Sequence, residues 1–209
     1  MKKIYQISSP SSTIHNKPDD FSKLETEAIF GEKFEQIKDC KSWKYGKLLA
    51  DNYIGWIKKV DLSPLENTTH RVCVPRTFIY SQPDIKSSVI TYLSLGSKLK
   101  LKLFNKKWYK IFFFEKKLKL VGFIFSKHVI EKKKIIQDWV KITESLIDVP
   151  YKWGGKDTLG IDCSSLLQLS LIFFNKKMPR NSFEQEQSIH FKEIEMDEII
   201  RGDVLFWNG

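Results

Sequence analysis

Cys163 is the residue in this sequence whose position best suits a chemical role. It follows Asp162, a preferred N-cap residue, at the start of a predicted helix that ends near Phe173. The dipole and the free backbone amides at the amino terminus of a helix favour a thiolate, and the same amides can stabilise the oxyanion of a tetrahedral intermediate. A nucleophilic cysteine is one interpretation. A small, inert core cysteine is the other.

Helical spacing after residue 130 predicts the elements that position this thiol. A first helix is predicted from apolar residues that recur at Ile135, Ile136, Trp139, Ile142, Leu146 and Ile147. Pro150 ends that helix, and the glycines of 151–155 predict a loop before the helix that starts near Asp162. The second helix ends before Asn175, and residues 204–207 predict the beginning of a strand.

An internal sequence repeat, which we call the echo, organises the region before residue 130. Gly55-Trp56-Ile57 and Gly122-Phe123-Ile124 share the order glycine, aromatic residue, isoleucine, and each follows a tryptophan, Trp43 or Trp108. Short strands with regular turns are typical of small β-barrels. The echo therefore predicts two related barrels, residues 1–65 and 66–130, followed by an α+β domain from 131 to 209.

The second barrel contains the clearest strand pattern. Lys98 to Leu103 alternates lysine with leucine, which predicts one strand with leucines on one face and lysines in solvent. Residues 111–114 and 121–125 predict more deeply buried strands, and turns are predicted at 105–107 and 115–117. This pattern explains much of the basic charge without a partner.

The composition indicates a globular chain with a basic surface. Hydrophobic residues make up 42% and charged residues 29%, the formal net charge is +10, and no apolar run has the length of a membrane span. Lysine greatly outnumbers arginine and no nucleic-acid reader motif accompanies the charge, so we expect no nucleic-acid and no membrane partner. Three separated cysteines, and the lack of an apolar signal core after Met1, favour a reducing, cytoplasmic location.

Four segments occur in an order that resembles the NlpC family of papain-like peptidases, which cut murein stem peptides. They are Pro150-Tyr151-Lys152-Trp153-Gly154-Gly155, Gly160-Ile161-Asp162-Cys163-Ser164, Met178-Pro179-Arg180 with Gln185, and Gly202-Asp203-Val204-Leu205-Phe206. The resemblance covers residues 131–209, and the two upstream units resemble bacterial SH3-like domains. This arrangement is similar to the γ-D-glutamyl-L-diamino acid endopeptidases of murein recycling. The implied fold class is α+β: two SH3-like barrels, then an incomplete papain-like domain.

The resemblance implies roles for four residues near the thiol. Cys163 is the implied nucleophile, and Tyr151 lines the site and helps to hold the substrate carbonyl or the oxyanion. Asp162 and Ser164 are implied to bind the free amino group of the L-Ala that begins the stem peptide, which suits the carboxylate of Asp162. The simpler alternatives are that Asp162 is only an N-cap and that Tyr151 only packs.

Five further residues stand at positions that the resemblance singles out. Arg180 and Gln185 match the motif, and we interpret both as structural. Glu32, Tyr53 and Trp56 of the first barrel fall where such barrels can cap the substrate pocket.

The chain departs from the family pattern at two points. Ser165 stands where the family usually has glycine. In the family the base histidine follows the segment that begins with Gly202, and here no histidine follows it; His190 comes after Cys163 but precedes Gly202. A thiol without a base loses most of its activation. We therefore expect a chain truncated before its base, and inactive as it stands.

The expected activity is that of a cysteine endopeptidase that hydrolyses the γ-D-Glu–diamino acid bond of murein stem peptides with a free L-Ala. Neither a metal nor another cofactor is expected, because no cluster with metal-ligand spacing is present. The alternative is a protein that binds muropeptides without catalysis through the barrels and a remnant peptidase domain.

Overall fold

The computed structural model of the protein describes residues 3–115, 117–174 and 176–207. It is an α+β structure that is rich in sheet and has few helices. Within these residues, no helix combines the length and the apolar character needed to cross a lipid bilayer.

Seven strands of the first region form one antiparallel sheet. They are β1 (Ile4–Ile7), β2 (Ser11–His15), β3 (Leu24–Ile29), β4 (Lys33–Cys40), β5 (Trp43–Leu48), β6 (Ile54–Lys58) and β7 (Leu62–Pro64). Their order in the sheet is β3-β2-β6-β5-β4-β1-β7. The sheet encloses a core that includes Ile7, Ile14, Phe34, Leu48 and Ile57.

The second region has eight strands in two smaller sheets. They are β8 (His70–Val72), β9 (Arg76–Tyr80), β10 (Val89–Ser94), β11 (Lys98–Leu99), β12 (Leu101–Asn105), β13 (Trp108–Glu115), β14 (Leu118–Phe125) and β15 (Val129–Glu131). The strand orders are β10-β9-β14-β13-β12 and β11-β8-β15. Ile79, Leu93, Leu99, Ile111 and Ile124 are buried in the core between them.

The two regions repeat one strand order, and the echoed glycines lie in equivalent strands. Gly55 lies in β6 beside β2, and Gly122 lies in β14 beside β9. A Cβ atom on Gly55 would lie 2.4 Å from Cγ2 of Ile14, and one on Gly122 would lie 2.2 Å from Cγ2 of Ile79. Glycine is therefore required at both positions, because any side chain would displace the neighbouring core isoleucine.

The predicted continuous strand from Lys98 to Leu103 is wrong. The segment forms β11 and then β12, and these strands belong to different sheets. Leu99 is buried, Leu103 is exposed, and Lys98 is partly buried instead of facing solvent. The alternating pattern indicates a strand, but it does not show where the chain passes from one sheet to the next.

The predicted turn at 105–107 is confirmed, because Oδ1 of Asn105 accepts the amide hydrogens of Lys107 and Trp108 at 2.9 and 3.0 Å. The other predicted turn includes Lys116, which lies outside the described residues. The strands predicted at 111–114 and 121–125 form parts of β13 and β14, which are only partly buried.

The last region contains three helices and a small hairpin. They are α1 (Trp139–Glu144), β16 (Lys156–Asp157), β17 (Gly160–Ile161), α2 (Cys163–Leu171) and α3 (Ser182–Glu186). The helix predicted from Asp162 is confirmed as α2, which continues as a 3₁₀ turn to Phe174. The preceding helix is shorter than predicted, because α1 begins at Trp139 with Asp138 as its N-cap.

Residues 204–207 do not form the predicted strand. Val204 and Phe206 are partly buried and pack with the cluster of Leu167, Leu171 and Met178, whereas Leu205 and Trp207 are exposed. The side chains thus alternate as in a strand, but a strand also needs a hydrogen-bonded neighbour, and no described segment pairs with this one.

Helix α2 packs against both sheet regions. Leu169 and Phe173 share a core with Ile29 of the first region and Leu95 of the second. The three regions therefore meet around the helix that begins at Cys163, and burial of this shared apolar core stabilises its position.

Candidate active site

Cys163 is the first residue of α2, and its side chain is exposed. Asp162 is the N-cap, as predicted: its Oδ1 accepts the backbone N–H of Ser165 at 2.9 Å. Oγ of Ser165 accepts the N–H of Asp162 at 3.1 Å, which completes a capping box. The thiol therefore lies at the positive end of the helix dipole.

Tyr151 lies close enough to Cys163 for the two side chains to interact electrostatically. Its backbone forms a parallel bridge with Ile161, and its side chain is exposed. Desolvation by neighbouring protein atoms, together with electrostatic interaction with Cys163 and Asp162, raises the pKa of the Tyr151 hydroxyl. The hydroxyl therefore stays protonated at neutral pH and can donate a hydrogen bond to an oxyanion.

Close backbone contacts shape the loop before the thiol. A Cβ atom on Gly155 would lie 2.3 Å from the carbonyl oxygen of Gly160. Gly154 adopts a φ of 74°, in the left-handed region, and its N–H donates to Oδ2 of Asp162 at 3.0 Å. These positions require glycine, because a larger residue would separate the loop from the start of α2.

Arg180 forms a buried, bidentate ion pair with Asp162. Nη1 donates to Oδ1 at 3.0 Å and Nη2 donates to Oδ2 at 2.7 Å. Nε of Arg180 donates to Oγ1 of Thr26 in β3 at 2.6 Å, so the first sheet also contributes. Burial by itself raises the pKa of Asp162, but the hydrogen bonds and charge of Arg180 outweigh that effect, and the pKa is lowered.

Ser164 belongs to the same buried network. Its Oγ donates to Oδ1 of Asp162 at 3.2 Å and accepts from Nη1 of Arg180 at 2.6 Å. Nε2 of Gln185 donates to the carbonyl oxygen of Ser164 at 2.9 Å. Arg180 and Gln185 therefore support the start of α2 from inside the protein. An ammonium group that approached Asp162 would have to compete with Arg180, so the predicted contact with Asp162 and Ser164 stays a prediction.

The first sheet holds the hairpin that leads to Cys163. Nζ of Lys156 in β16 donates to Oε1 of Glu32 at 2.9 Å and lies 3.7 Å from Oδ2 of Asp51, and all three side chains are buried. Burial lowers the pKa of Lys156, but the two carboxylates outweigh it and the pKa is raised. Glu27 of β3 accepts from Nζ of Lys152 and from the backbone N–H of Lys156.

The second sheet region holds the same hairpin from another side. Asp157 accepts hydrogen bonds from the Tyr92 hydroxyl at 2.9 Å and from Oγ of Ser94 at 2.8 Å. Arg76 donates through Nη2 to the carbonyl oxygen of Thr158 at 2.7 Å. Both sheet regions therefore position the loop and the start of α2 by direct polar contacts.

Of the three residues expected to cap the pocket from the first sheet region, Glu32 does not have that role, and the role of Trp56 stays a prediction. Glu32 is buried, and its carboxylate is bound to Lys156 and to the backbone N–H of Ile29. Trp56 packs against Tyr45 with 5.0 Å between ring centroids. The sequence could not distinguish a pocket-facing glutamate from one that forms an internal ion pair.

Tyr53, the third of these residues, pairs with a glutamate that the sequence analysis missed. Its hydroxyl donates to Oε2 of Glu25 at 2.9 Å, and burial together with that carboxylate raises the pKa of Tyr53 to about 12. Glu25 precedes Thr26, the partner of Arg180, and its carbonyl oxygen lies 3.4 Å from a Cβ built on Gly154. The run Leu24-Glu25-Thr26-Glu27 could have indicated a functional glutamate, because acidic side chains are uncommon in strands.

In the described part of the chain, no histidine side chain forms a hydrogen bond with Cys163. His190 lies in the loop that follows α3. The other three rings have partners within the sheet regions: His15 contacts the Ser22 carbonyl at 3.1 Å, His70 contacts Thr69 at 2.8 Å and His128 contacts Thr77 at 2.8 Å.

Cys163 is the most accessible of the three free cysteines. Cys40 and Cys73 are partly buried, and burial raises the pKa of Cys73. Among the described residues, no group of three or more histidine, cysteine or acidic side chains is arranged to hold a metal ion. The arrangement suits nucleophilic chemistry at one exposed thiol.

Comparison with known proteins identifies two domains. Residues 148–209 match the NlpC/P60 family, and residues 14–62 match the bacterial dipeptidyl-peptidase SH3 domain. Dipeptidyl-peptidase 6 of Lysinibacillus sphaericus is 25% identical, over 95% of this chain and 79% of that protein. The gamma-D-glutamyl-L-lysine dipeptidyl-peptidase of Bacillus subtilis is 24% identical, over 88% of this chain and 64% of that protein.

Solved structures share the fold. An NlpC/P60 family protein from Bacillus cereus superposes with a TM-score of 0.80 at 16% identity, and the match covers 96% of this chain and 81% of that one. An NlpC/P60 endopeptidase from Photobacterium damselae gives a TM-score of 0.61 at 17% identity, over 87% of this chain and 45% of that one.

Proposed function

From the premise that residues 148–209 form an NlpC/P60 cysteine peptidase domain behind an SH3-like domain, we propose a substrate. The substrate is a murein stem peptide with a free amino-terminal L-Ala, and the bond cut is the γ-D-Glu–diamino acid amide. The names of the two relatives support this choice, since both are called dipeptidyl-peptidases and one name includes γ-D-glutamyl-L-lysine. The observation that carries the proposal is the exposed Cys163 thiol at the capped start of α2.

The proposed architecture is two SH3-like barrels, residues 1–65 and 66–130, and a peptidase domain from 131 to 209. The common strand order of the two sheet regions supports the second barrel, as do the equivalent glycines Gly55 and Gly122. In this arrangement the barrels serve the peptidase domain directly, because both contact the hairpin before Cys163.

The proposed chemistry is acyl transfer to the thiol. Sγ of Cys163 attacks the γ-carbonyl carbon of D-Glu, and the α2 amides with the Tyr151 hydroxyl stabilise the oxyanion. The carbon–nitrogen bond then breaks, the amine of the diamino acid takes a proton and leaves, and water hydrolyses the thioester to release L-Ala-γ-D-Glu. In the described part of the chain, Cys163 has no histidine partner to move these protons. We therefore propose that these residues alone turn over slowly or not at all.

The amino group of L-Ala is proposed to bind at the edge formed by Asp162, Ser164 and Glu25. Asp162 supplies negative charge, although six donors already surround its carboxylate, two of them from Arg180. Glu25 is partly exposed and has fewer partners, the Tyr53 hydroxyl and Lys23 at 3.4 Å. An ammonium group can therefore pair with Glu25 without displacing a buried arginine.

This requirement for a free amine leads to a cytoplasmic recycling role. In intact murein the amine of L-Ala is part of an amide bond, so only released peptides would fit the site. As part of the same proposal, we place the protein in the cytoplasm, where released peptides are degraded.

The test compares free and N-acetylated L-Ala-γ-D-Glu-diaminopimelate. Calorimetric binding to Cys163→Ala is expected to be about 10–150-fold weaker for the acetylated peptide, because acetylation removes a charge-assisted hydrogen bond worth roughly 1.5–3 kcal/mol. Glu25→Gln should reduce this preference, whereas Glu186→Gln, at an exposed position in α3, should keep it. Equal affinity for both peptides would refute the ammonium site.

A second candidate function is muropeptide binding without catalysis. It is favoured because Cys163 has no histidine partner among the residues that the structure describes. Chromatography of the reaction mixture distinguishes the two. Release of L-Ala-γ-D-Glu by the wild-type chain, and not by Cys163→Ala, establishes the peptidase. Tight binding that Cys163→Ala retains, with no product at any time, establishes the binder.

A further inference from the structure

A basic cavity of about 250 Å³ lies where the two sheet regions meet the second half of α2. Gln168, Leu169 and Ile172 of the α2 segment line it, and Cys163 lies at the opposite end of that helix. The cavity is therefore separate from the candidate active site. We define the basic cavity by its cationic lining residues, which are Lys33, Arg71, Lys98, Lys132, Lys156, Lys176 and Lys177.

The charges around this cavity are strongly unbalanced. Glu32 is its acidic lining residue, and Glu32 is already bound to Lys156 at 2.9 Å. Lys33, Lys98 and Lys176 come from the first, second and last regions of the chain, so the tertiary fold brings them together. Like charges that line one cavity repel one another, and the repulsion is reduced when an anion lies between them.

Lys98 shows the imbalance most clearly. The backbone N–H of Lys98 donates to the carbonyl oxygen of Phe30, which fixes β11 against the first region. Its ammonium forms no hydrogen bond or ion pair within the described residues. Burial lowers the pKa of Lys98, and the charges of Lys156, Lys132 and Arg71 lower it further, against an opposing effect of Glu32. A lysine in this position gains from a bound anion more than an exposed lysine does.

Gln168 adds an independent sign of a ligand. Its Nε2 donates to Oδ2 of Asp51 and to the carbonyl oxygens of Met178 and Pro179, at 3.0–3.1 Å. Its Oε1 is buried and has no hydrogen-bond partner among the described residues. Because Gln168 lines the cavity, its unpaired acceptor suits a ligand that also carries a hydrogen-bond donor, such as a protonated phosphate or a hydroxyl group.

We propose that the basic cavity binds a small multivalent oxyanion, of the phosphate or carboxylate class. The volume limits the ligand, because sites for drug-sized molecules usually measure about 300–1,000 Å³. Bound there, the anion joins the two sheet regions to the back of α2 and stabilises their packing. This site does not depend on the proposed peptidase function.

The experiment measures anion binding to the full chain by calorimetry and by thermal unfolding. Sodium phosphate and sodium succinate are compared with sodium chloride at the same ionic strength of about 0.15 M, where screening of exposed charges is constant. Saturable binding of one oxyanion is expected, and at about 100 times its Kd it should raise Tm by roughly 5–10 °C. The oxyanion that binds more tightly identifies the class of ligand.

Matched variants locate the site. Lys98→Met should weaken binding at least tenfold and raise Tm without the anion, because a partly buried like charge has been removed. Lys102→Met removes an exposed lysine of β12 and should leave the affinity unchanged within about twofold. If Lys98→Met does not fold, Lys132→Met at the exposed rim replaces it, with a smaller expected loss.

Two results would overturn the proposal. The first is the absence of saturable binding by either oxyanion. The second is binding that Lys98→Met or Lys132→Met weakens no more than Lys102→Met does, because the anions would then bind elsewhere on a basic surface.

Discussion

Arg180 and Asp162 form a bidentate ion pair directly behind the candidate nucleophile, with N–O distances of 3.0 and 2.7 Å. Both side chains are buried, so each charge depends on the other. Asp162 also caps α2, which makes this pair the link between the internal polar network and the orientation of Cys163.

Arg180→Met should therefore destabilise the protein strongly. The change leaves the Asp162 carboxylate buried without its counter-ion, which typically costs about 3–5 kcal/mol of unfolding free energy. Urea unfolding followed by fluorescence measures the loss. Arg201→Met is the matched control, since Arg201 pairs with Asp138 at an exposed site and should cost at most about 1 kcal/mol. Similar losses in the two variants would contradict this account.

The same pair predicts how stability falls in acid. The pKa of Asp162 in the folded protein lies below its ordinary value of 3.8. Its contribution is therefore fully present above that value and is lost as the pH falls through the lower, folded pKa. Between about pH 6 and about pH 3, wild type should lose more unfolding free energy than Asp162→Asn does. Asp197→Asn changes an exposed aspartate and should follow the wild-type curve.

Local signals predicted the parts of the site that lie close together in the chain. Asp162 was recognised as the N-cap of α2, because capping depends on residues within one turn of helix. The equivalence of Gly55 and Gly122 was also visible, because each glycine is required by the close approach of a neighbouring strand.

Contacts between distant parts of the chain could not be predicted in the same way. Asp157 accepts hydrogen bonds from Tyr92 and Ser94. Both partners lie more than 60 residues earlier in the chain, and no periodic pattern connects them to Asp157. The alternating pattern predicts a solvent-exposed Lys98, because it describes one continuous strand, whereas the segment is divided between two sheets. Glu32 was assigned to the pocket, although it forms an ion pair with Lys156.

Alkylation should distinguish Cys163 from Cys73. Cys163 is exposed at the start of α2, whereas burial raises the pKa of Cys73 and lowers its thiolate fraction at neutral pH. Brief treatment with iodoacetamide, followed by peptide mass spectrometry, should show Cys163 modified at least about tenfold faster than Cys73. Cys163→Ser should remove the fast phase only. Equal rates for both thiols in the folded protein would contradict the assignment.

Gly122→Ala should test why both copies of the repeated glycine–aromatic–isoleucine pattern begin with glycine. The added methyl group would lie 2.2 Å from Cγ2 of Ile79, so the core must shift. Overpacking of this kind usually costs about 1–3 kcal/mol of unfolding free energy. Val121→Ala, at the neighbouring exposed residue, should cost less than about 1 kcal/mol. A loss in Gly122→Ala no larger than in Val121→Ala would show that the strands separate easily.

Lys156→Met should show that the first sheet region positions the thiol as well as stabilising the fold. The variant leaves the buried carboxylates of Glu32 and Asp51 without their ammonium partner, which should cost about 3–5 kcal/mol. Because Lys156 begins the hairpin that leads to Cys163, the alkylation rate of Cys163 should change as well. In Lys156→Met/Glu32→Gln one unpaired charge is removed, and part of the stability should return. Recovery of stability without recovery of the native alkylation rate would show that the ion pair itself orients the hairpin. An unchanged rate in the folded single variant would show that the hairpin does not need this contact to place the nucleophile.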